Sequence, residues 1–216
     1  MTLPRLAKAC LDYAGAWLGL MLLSPLIYFF ALLIRLDSPG PVFFRQERIG
    51  KDGKPFISYK FRSMVDNATA FGLGLNVAVD DERITRVGNF LRHTSLDEIP
   101  QLFNVLKGEM SLVGPRPTLS YQVERYDAVQ RRRLLVKPGI TGWAQINGRN
   151  AIPWEERIRL DVWYVDHWSL GLDLQILLRT LKTVLRREGL YGPEGVNFDF
   201  LGTAQQPPQE ERTEQA

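Results

Sequence analysis

At 216 residues and 45% hydrophobic, the chain is long enough for one globular domain with a packed core plus something smaller. Its one cysteine, Cys10, excludes an intramolecular disulfide and offers no metal-ligand spacing, so disulfide scaffolds and cysteine-bound zinc drop out, and a reducing compartment suits it. A net charge of +3 names no partner, but Arg131, Arg132 and Arg133, and later Arg179, Lys182, Arg186 and Arg187, cluster in a way that suits an anion: phosphate, nucleic acid or a lipid surface.

Residues 14–34 read AGAWLGLMLLSPLIYFFALLI, an uncharged run close to the roughly 20 residues a helix needs to cross the hydrocarbon core. No small-residue cleavage site follows it, which argues against a cleaved signal. Ser24 and Pro25 fall in its middle, where proline removes a backbone donor and a kink is expected, with Ser24 placed to bond back to a freed carbonyl. Arg5 and Lys8 precede the run, and Arg35, Arg45 and Arg48 follow it, so charge gives no orientation. From the residues alone, a spanning anchor and a re-entrant helix bent at Ser24-Pro25 both stay open.

The segment RQERIGKDGKPFISYKFRSM predicts two short strands around Asp52-Gly53. Residues 65–82 read as a loop with some helix. Ile99, Leu102, Phe103 and Leu106 keep helical spacing, and Lys107-Gly108 ends that helix. LVGPRP must be extended because of its prolines. Helix is expected over 119–134, a long loop over KPGITGWAQINGRN, and helix again over 153–169. Leu174, Leu177, Leu178, Leu181 and Leu185 then line one side of a helix with Arg and Lys opposite, which suits either a core-facing surface or an anionic bilayer. Beyond Gly202, polar and proline-containing sequence predicts a disordered tail.

The stretch TSLDEIPQ raises the chemical question. Ser95-x-x-Glu98 has the form of a capping box, but that leaves Asp97 unused and fits Pro100 poorly. A helix start at Asp97 or Glu98 instead puts Pro100 in the tolerated first turn. Either way, two adjacent acids at a helix N-terminus suit a divalent cation and a phosphate. Arg92, Arg116, Arg149 and Lys60 lie in turn-rich segments or a predicted strand around them. Arg116, between Pro115 and Pro117, is pre-set for bidentate phosphate contact. Asp161, in RLDVWYV, needs a partner, and Arg157 one turn earlier is the candidate. His93 and His167 lack metal spacing and are read as structural.

These motifs together, from Ser24-Pro25 through YKFRSM, RHTSLDEIPQLFNVLKGEMSLVGPRP, KPGITGWAQINGR and LDVWYVDHWSLGLDLQIL, resemble the bacterial sugar transferases, or monotopic phosphoglycosyl transferases. The resemblance implies an α+β, mostly helical fold with a re-entrant membrane helix over 1–36 and a catalytic domain over 37–202 carrying a small hairpin and amphipathic interfacial helices, and it stops short of the tail over 203–216. It implies transfer of a sugar 1-phosphate from a UDP-sugar to undecaprenyl phosphate with release of UMP, the first membrane step of exopolysaccharide, O-antigen, capsule or glycoprotein assembly. Asp97 would be the covalent nucleophile and Glu98 would bind Mg²⁺. Arg92, Arg116, Arg149 and Lys60 would hold phosphates, and Asp161 would belong to the active site. Ser24 and Pro25 would form the re-entrant bend, placing the catalytic domain on the cytoplasmic face of the bacterial inner membrane. The sequence looks like the minimal form of the family.

A non-catalytic membrane-anchored binding module and a simple hydrolase of nucleotide sugars or lipid phosphates compete with this reading. The absence of aromatic-interleaved basic motifs counts against nucleic acid. Nothing in the chain reads sugar substituents or counts subunits, and a dimer is compatible with it.

Overall fold

In a computed structural model, residues 3–70, 72–192, 195–197 and 200 are described. The tail expected over 203–216 lies outside them. The fold is α+β and mostly helical. Helix α1 (Leu3–Asp37) is followed by the hairpin β1 (Phe43–Ile49) and β2 (Pro55–Phe61), a two-residue strand β3 (Val77–Ala78), and helices α2 (Arg86–Thr94) and α3 (Gln101–Leu106). Strand β4 (Ser111–Val113), helix α4 (Ser120–Glu124), strand β5 (Gly139–Thr141) and helix α5 (Trp143–Ile146) follow. Helices α6 (Trp154–Asp166) and α7 (Leu170–Leu185) and strand β6 (Val196–Asn197) complete the order.

Helix α1 runs unbroken through Pro25. Proline at 25 has no amide hydrogen for the Met21 carbonyl, and Ser24 Oγ donates to that carbonyl at 2.9 Å, the back-bond the sequence suggests. One stripe of α1 enters the body of the protein. Ala16 packs with Phe56, Leu102, Val105 and Met110, while Ile27, Phe30 and Ile34 pack with Phe61 and Leu91. Each of the larger aliphatic and phenylalanine side chains, fully buried, contributes about 1.5–3 kcal/mol. The opposite stripe, including Trp17, Leu22, Tyr28 and Phe29, is exposed. Among the described residues, α1 is the one helix long and apolar enough to cross a membrane.

Both ends of α1 are tied to the same body. Near its start, Lys8 Nζ meets Asp173 Oδ2 at 2.7 Å and donates to the Val113 carbonyl at 3.1 Å, and Asp12 Oδ1 accepts from Ser111 Oγ and the Leu112 amide at 3.0 Å each. At its end, Asp37 Oδ2 accepts from the Val87 amide at 2.9 Å, and buried Arg62 donates to the carbonyls of Ile34, Ser38 and Pro39.

The hairpin forms as its sequence predicts, with Phe44 opposite Lys60 and Ile49 opposite Pro55. Asp52 (φ 57°) and Gly53 (φ 75°) make the left-handed turn that Asp-Gly favours. The loop over 65–82 differs from expectation in gaining β3, which pairs antiparallel with β6. Buried Arg83 gathers that loop, donating to the carbonyls of Ala68, Gly74 and Asn76 while paired with Asp81.

Two further expectations are corrected. Residues 119–134 do not form one helix: α4 ends at Glu124, and a 3-10 turn over Gln130–Leu135 follows. Asp127 Oδ1 accepts from the Gln130 amide at 2.8 Å, a side-chain bond that competes with helix continuation. The segment expected as a long loop, 137–150, contains β5 and α5. Strand β5 pairs in parallel with β4, Ser111 opposite Gly139 and Val113 opposite Thr141. The leucine stripe of α7 faces outward: Leu174, Leu178, Leu181 and Leu185 are exposed, whereas Leu172 and Ile176 pack against Val113 and Tyr164.

Helix α2 starts with Thr85, whose hydroxyl accepts from the Gly88 amide at 3.0 Å. A Cβ on Gly88 would lie 1.9 Å from the Ser63 carbonyl oxygen, so only glycine lets α2 sit this close to the strand end. Gly88→Ala is expected to cost roughly 3 kcal/mol and to lower the midpoint of thermal unfolding in detergent, while the equally small change Ala70→Gly, at an exposed turn, leaves that midpoint nearly unmoved.

Candidate active site

The acids do not begin a long helix. Ser95 takes a left-handed conformation (φ 57°) that closes α2, Leu96–Glu98 form a 3-10 turn, and α3 starts only at Gln101, after Pro100. The capping box is absent: Ser95 makes no side-chain cap bond, and its Oγ accepts from Arg149 Nη2 at 3.1 Å. Glu98 points away from the helix backbone. Its Oε1 accepts from Lys60 Nζ at 2.6 Å and from Arg116 Nη2 at 3.2 Å. Side-chain cations, rather than the dipole of a six-residue helix, hold Glu98.

Asn104, fully buried in α3, sets this meeting. Its Nδ2 donates to the Ile57 carbonyl at 2.6 Å and to Glu109 Oε2 at 2.7 Å, and its Oδ1 accepts from the Tyr59 amide at 3.1 Å. Those bonds fix β2 against α3, so Lys60 faces the turn that carries Asp97 and Glu98.

Asp97, Glu98, Lys60, Arg92, Arg116 and Arg149 all line one cavity of about 900 Å³. The sequence-predicted phosphate ligands are thus brought together. Asp97, by contrast with its neighbour, has no hydrogen bond or ion pair among the described residues. Burial raises its carboxyl above the usual range against the pull of Lys60, with Glu98 raising it further and Arg92 and Arg149 opposing. For Glu98, burial also pushes upward, but Lys60, Arg116 and Arg149 outweigh it and hold the carboxyl well below the usual range. Burial lowers Lys60 despite Glu98. The two neighbours are therefore differentiated: one is a fixed anion clamped by cations, and the other is an unclamped carboxylate with raised basicity facing the cavity.

The same cavity takes in residues the sequence reading missed or set aside. Arg45 and Arg48 come from β1, and Arg157 from α6. Arg157 is braced by the carbonyls of Ile152 (2.8 Å) and Asn150 (3.1 Å), with its guanidinium 4.8 Å from the Trp154 ring centre. Burial, with Arg116 adding, lowers it to about 10. His93, adjacent to Arg92, also lines the wall, and that adjacency was the signal available in the sequence. His167 stacks on Trp163 and stays structural.

Asp161 stands apart from the cavity lining. It is 1% exposed and pairs with buried Arg133, not with Arg157. Arg133 Nη2 donates to the Arg116 carbonyl at 2.9 Å as well as to Asp161 Oδ2. The pair therefore props the backbone whose guanidinium reaches Glu98. Of the arginine run 131–133, Arg133 is internal, whereas exposed Arg131 donates to the Tyr126 carbonyl and exposed Arg132 pairs with Asp166.

Among the described residues, no group of three His, Cys, Asp or Glu side chains could hold a metal by itself. Asp97 and Glu98 alone fit a hard cation of the Mg²⁺ kind, which takes one or two carboxylates and completes its shell with water and substrate phosphate. Both cations contact Glu98 through Oε1, leaving Oε2 as the oxygen to turn toward such an ion.

A cavity lined by Arg and Lys side chains around an unclamped carboxylate sits on a body that carries a long, largely exposed apolar helix. The model of the bacterial sugar transferases matches residues 3–187, and the chain belongs to that family. It is 51% identical over 197 residues to the uncharacterized sugar transferase EpsL of Bacillus subtilis (strain 168), covering 91% of this chain and 96% of that one. It is 43% identical over 201 residues to the undecaprenyl-phosphate galactose phosphotransferase of Salmonella typhimurium, covering 87% of this chain and 42% of that one. It is also 46% identical over 187 residues to the UDP-glucose:undecaprenyl-phosphate glucose-1-phosphate transferase of Escherichia coli (strain K12), covering 82% and 40%. The chain thus spans nearly all of EpsL and about two fifths of the other two.

Burial raises Asp161 to about 6 against Arg133, so between roughly pH 4 and 6 the folded state holds a proton that the unfolded chain has released. Its contribution to stability therefore falls as pH rises through that window. Arg133→Met is expected to destabilise by about 3–5 kcal/mol at pH 8, where Asp161 is left as an unpaired buried anion. The loss should shrink toward pH 5 as the carboxyl takes up a proton, which unfolding midpoints at the two pH values would measure.

Proposed function

We propose that the protein is a phosphoglycosyl transferase that moves a sugar 1-phosphate from a UDP-sugar to a membrane polyprenyl phosphate such as undecaprenyl phosphate, releasing UMP. The observation that carries this reading is the division between Asp97, unclamped in the cavity, and Glu98, fixed by Lys60 and Arg116. The relatives named for galactose and glucose transfer support the reaction class and leave this chain's sugar open.

An Asp97 oxygen attacks the phosphorus next to the sugar. The bridging P–O bond of the diphosphate breaks, and UMP leaves with the electron pair. A carboxyl–phosphate ester carrying the sugar remains on Asp97. An oxygen of the polyprenyl phosphate then attacks the same phosphorus, the aspartyl O–P bond breaks, and the carboxylate is restored. A carboxylate nucleophile lets one site serve a soluble donor and a lipid acceptor in turn. Arg92, Arg116, Arg149 and Lys60 hold and orient the phosphates and offset charge that spreads over oxygens during transfer. Asp97 and Glu98 would hold Mg²⁺, which when bound neutralises phosphate charge and makes phosphorus more open to attack by an anion.

The reading places α1 in the bilayer as a re-entrant helix. Its two ends are tied to one body through Lys8 and Asp12 at the start and Asp37 at the end, which suits a segment that enters and returns and does not suit one that crosses. The exposed leucines of α7, with Arg179 and Lys182 on the same helix, suit an interfacial position beside it. On this reading the catalytic body lies on the cytoplasmic face of the inner membrane.

Purified protein with Mg²⁺ and a panel of UDP-sugars is expected to release UMP, with multiple turnover only when undecaprenyl phosphate is present. Asp97→Asn should lower the rate by at least about 10³ while leaving the unfolding midpoint near that of the native chain. Turnover by that variant would remove Asp97 as nucleophile, and release without lipid would favour a hydrolase. Tags at the two termini should be labelled from the cytoplasmic side only; a periplasmic N-terminus rules out the re-entrant helix.

A further inference from the structure

Two residues that the transfer chemistry does not use meet on the cavity wall. His93 and Tyr191 both line it, with ring centres 6.0 Å apart and planes inclined at 54°. Each adjoins a phosphate-binding arginine by a short route. His93 follows Arg92 in α2. Tyr191 follows Leu190, whose carbonyl accepts from Asn150 Nδ2 at 2.8 Å and from Asn197 Nδ2 at 3.0 Å, and Asn150 follows Arg149. Two asparagines therefore hold the backbone beside Tyr191 from either side.

The polar atoms of the pair have complementary, unfilled roles. The Tyr191 hydroxyl is buried and has no hydrogen-bond partner among the described residues, although buried polar groups ordinarily find one. A bound ligand would supply it. His93 Nδ1 lies 2.8 Å from the Asn89 carbonyl, which can only accept, so Nδ1 carries the hydrogen and Nε2 of the neutral ring is an acceptor. The pair thus offers one hydroxyl donor and one ring-nitrogen acceptor beside two aromatic rings, next to residues that bind phosphate.

Resting on the transferase reading, we infer that His93 and Tyr191 form the base subsite for the uridine half of the donor, with Tyr191 donating to uracil O4 and His93 Nε2 accepting from uracil N3–H. Cytosine carries no hydrogen on N3, so it presents an acceptor to an acceptor there. The subsite accordingly selects uracil over cytosine through hydrogen bonds, while the rings add contact area that either base can use.

The test uses the whole chain in detergent or nanodiscs and measures UMP and CMP binding, with UDP-sugar turnover alongside. The native protein is expected to bind UMP more tightly than CMP. Tyr191→Phe, which keeps the ring, and His93→Ala should each weaken UMP about fivefold or more while leaving CMP nearly unchanged, so the preference collapses. Equal native affinity for UMP and CMP would overturn the subsite. So would variants that keep native UMP binding but lose UDP-sugar turnover, because the pair would then face the sugar. Both outcomes leave the transferase reading standing, whereas a native protein that binds no UMP at all takes that reading down with the subsite.

Discussion

The ion pairs that Glu98 makes with Lys60 and Arg116 are the constraint on which the site depends. They join three separate parts of the chain: a strand of the hairpin, a 3-10 turn, and a loop stiffened by two prolines. A partly buried carboxylate with two cations stays ionised and immobile, and removing either cation would leave charge poorly compensated. The same arrangement leaves Asp97, one residue away, without a partner among the described residues. Neighbouring acids of nearly identical chemistry are thus given different work by what surrounds them.

That cluster is itself held from behind. Asn104 ties the hairpin to α3 through three hydrogen bonds, and the buried Arg133–Asp161 pair braces the Arg116 backbone. Neither support has to line the cavity to matter, because a cluster of paired charges tolerates little displacement of its members. Helix α1 is part of the same unit, since it supplies side chains to two of the hydrophobic clusters. Its outer stripe of Trp17, Leu22, Tyr28 and Phe29 remains exposed and extends the apolar surface well beyond what a soluble domain normally presents. Site and apolar helix are consequently positioned by one core.

Features governed by neighbours in sequence were legible. The Asp-Gly turn, the apolar run with its Ser-Pro interruption, the helices over α6 and α7, and the stop at Lys107-Gly108 all follow from backbone preference and periodicity. The candidate phosphate ligands were legible as residue types in rigid, turn-rich settings. Misreadings arose where a side chain or a distant strand competed with local preference. Asp127 interrupted a helix that periodicity favoured, and β5 found its partner β4 more than two dozen residues away. Arg133 looked like one more member of a surface charge run with Arg131 and Arg132, because sequence does not report that Asp161 waits inside the fold.

By itself, the sequence determined the inventory: a long apolar helix, two adjacent acids, a set of dispersed cations, and the motifs that mark the family. Only the tertiary structure decided how the cations were divided. Lys60 and Arg116 went to Glu98, Arg149 to Ser95, and Arg133 to Asp161, leaving Asp97 without a pair among the described residues. The physical reason is that local sequence sets backbone conformation and residue type, whereas desolvation and charge pairing depend on which distant segments the packed core brings within a few ångströms.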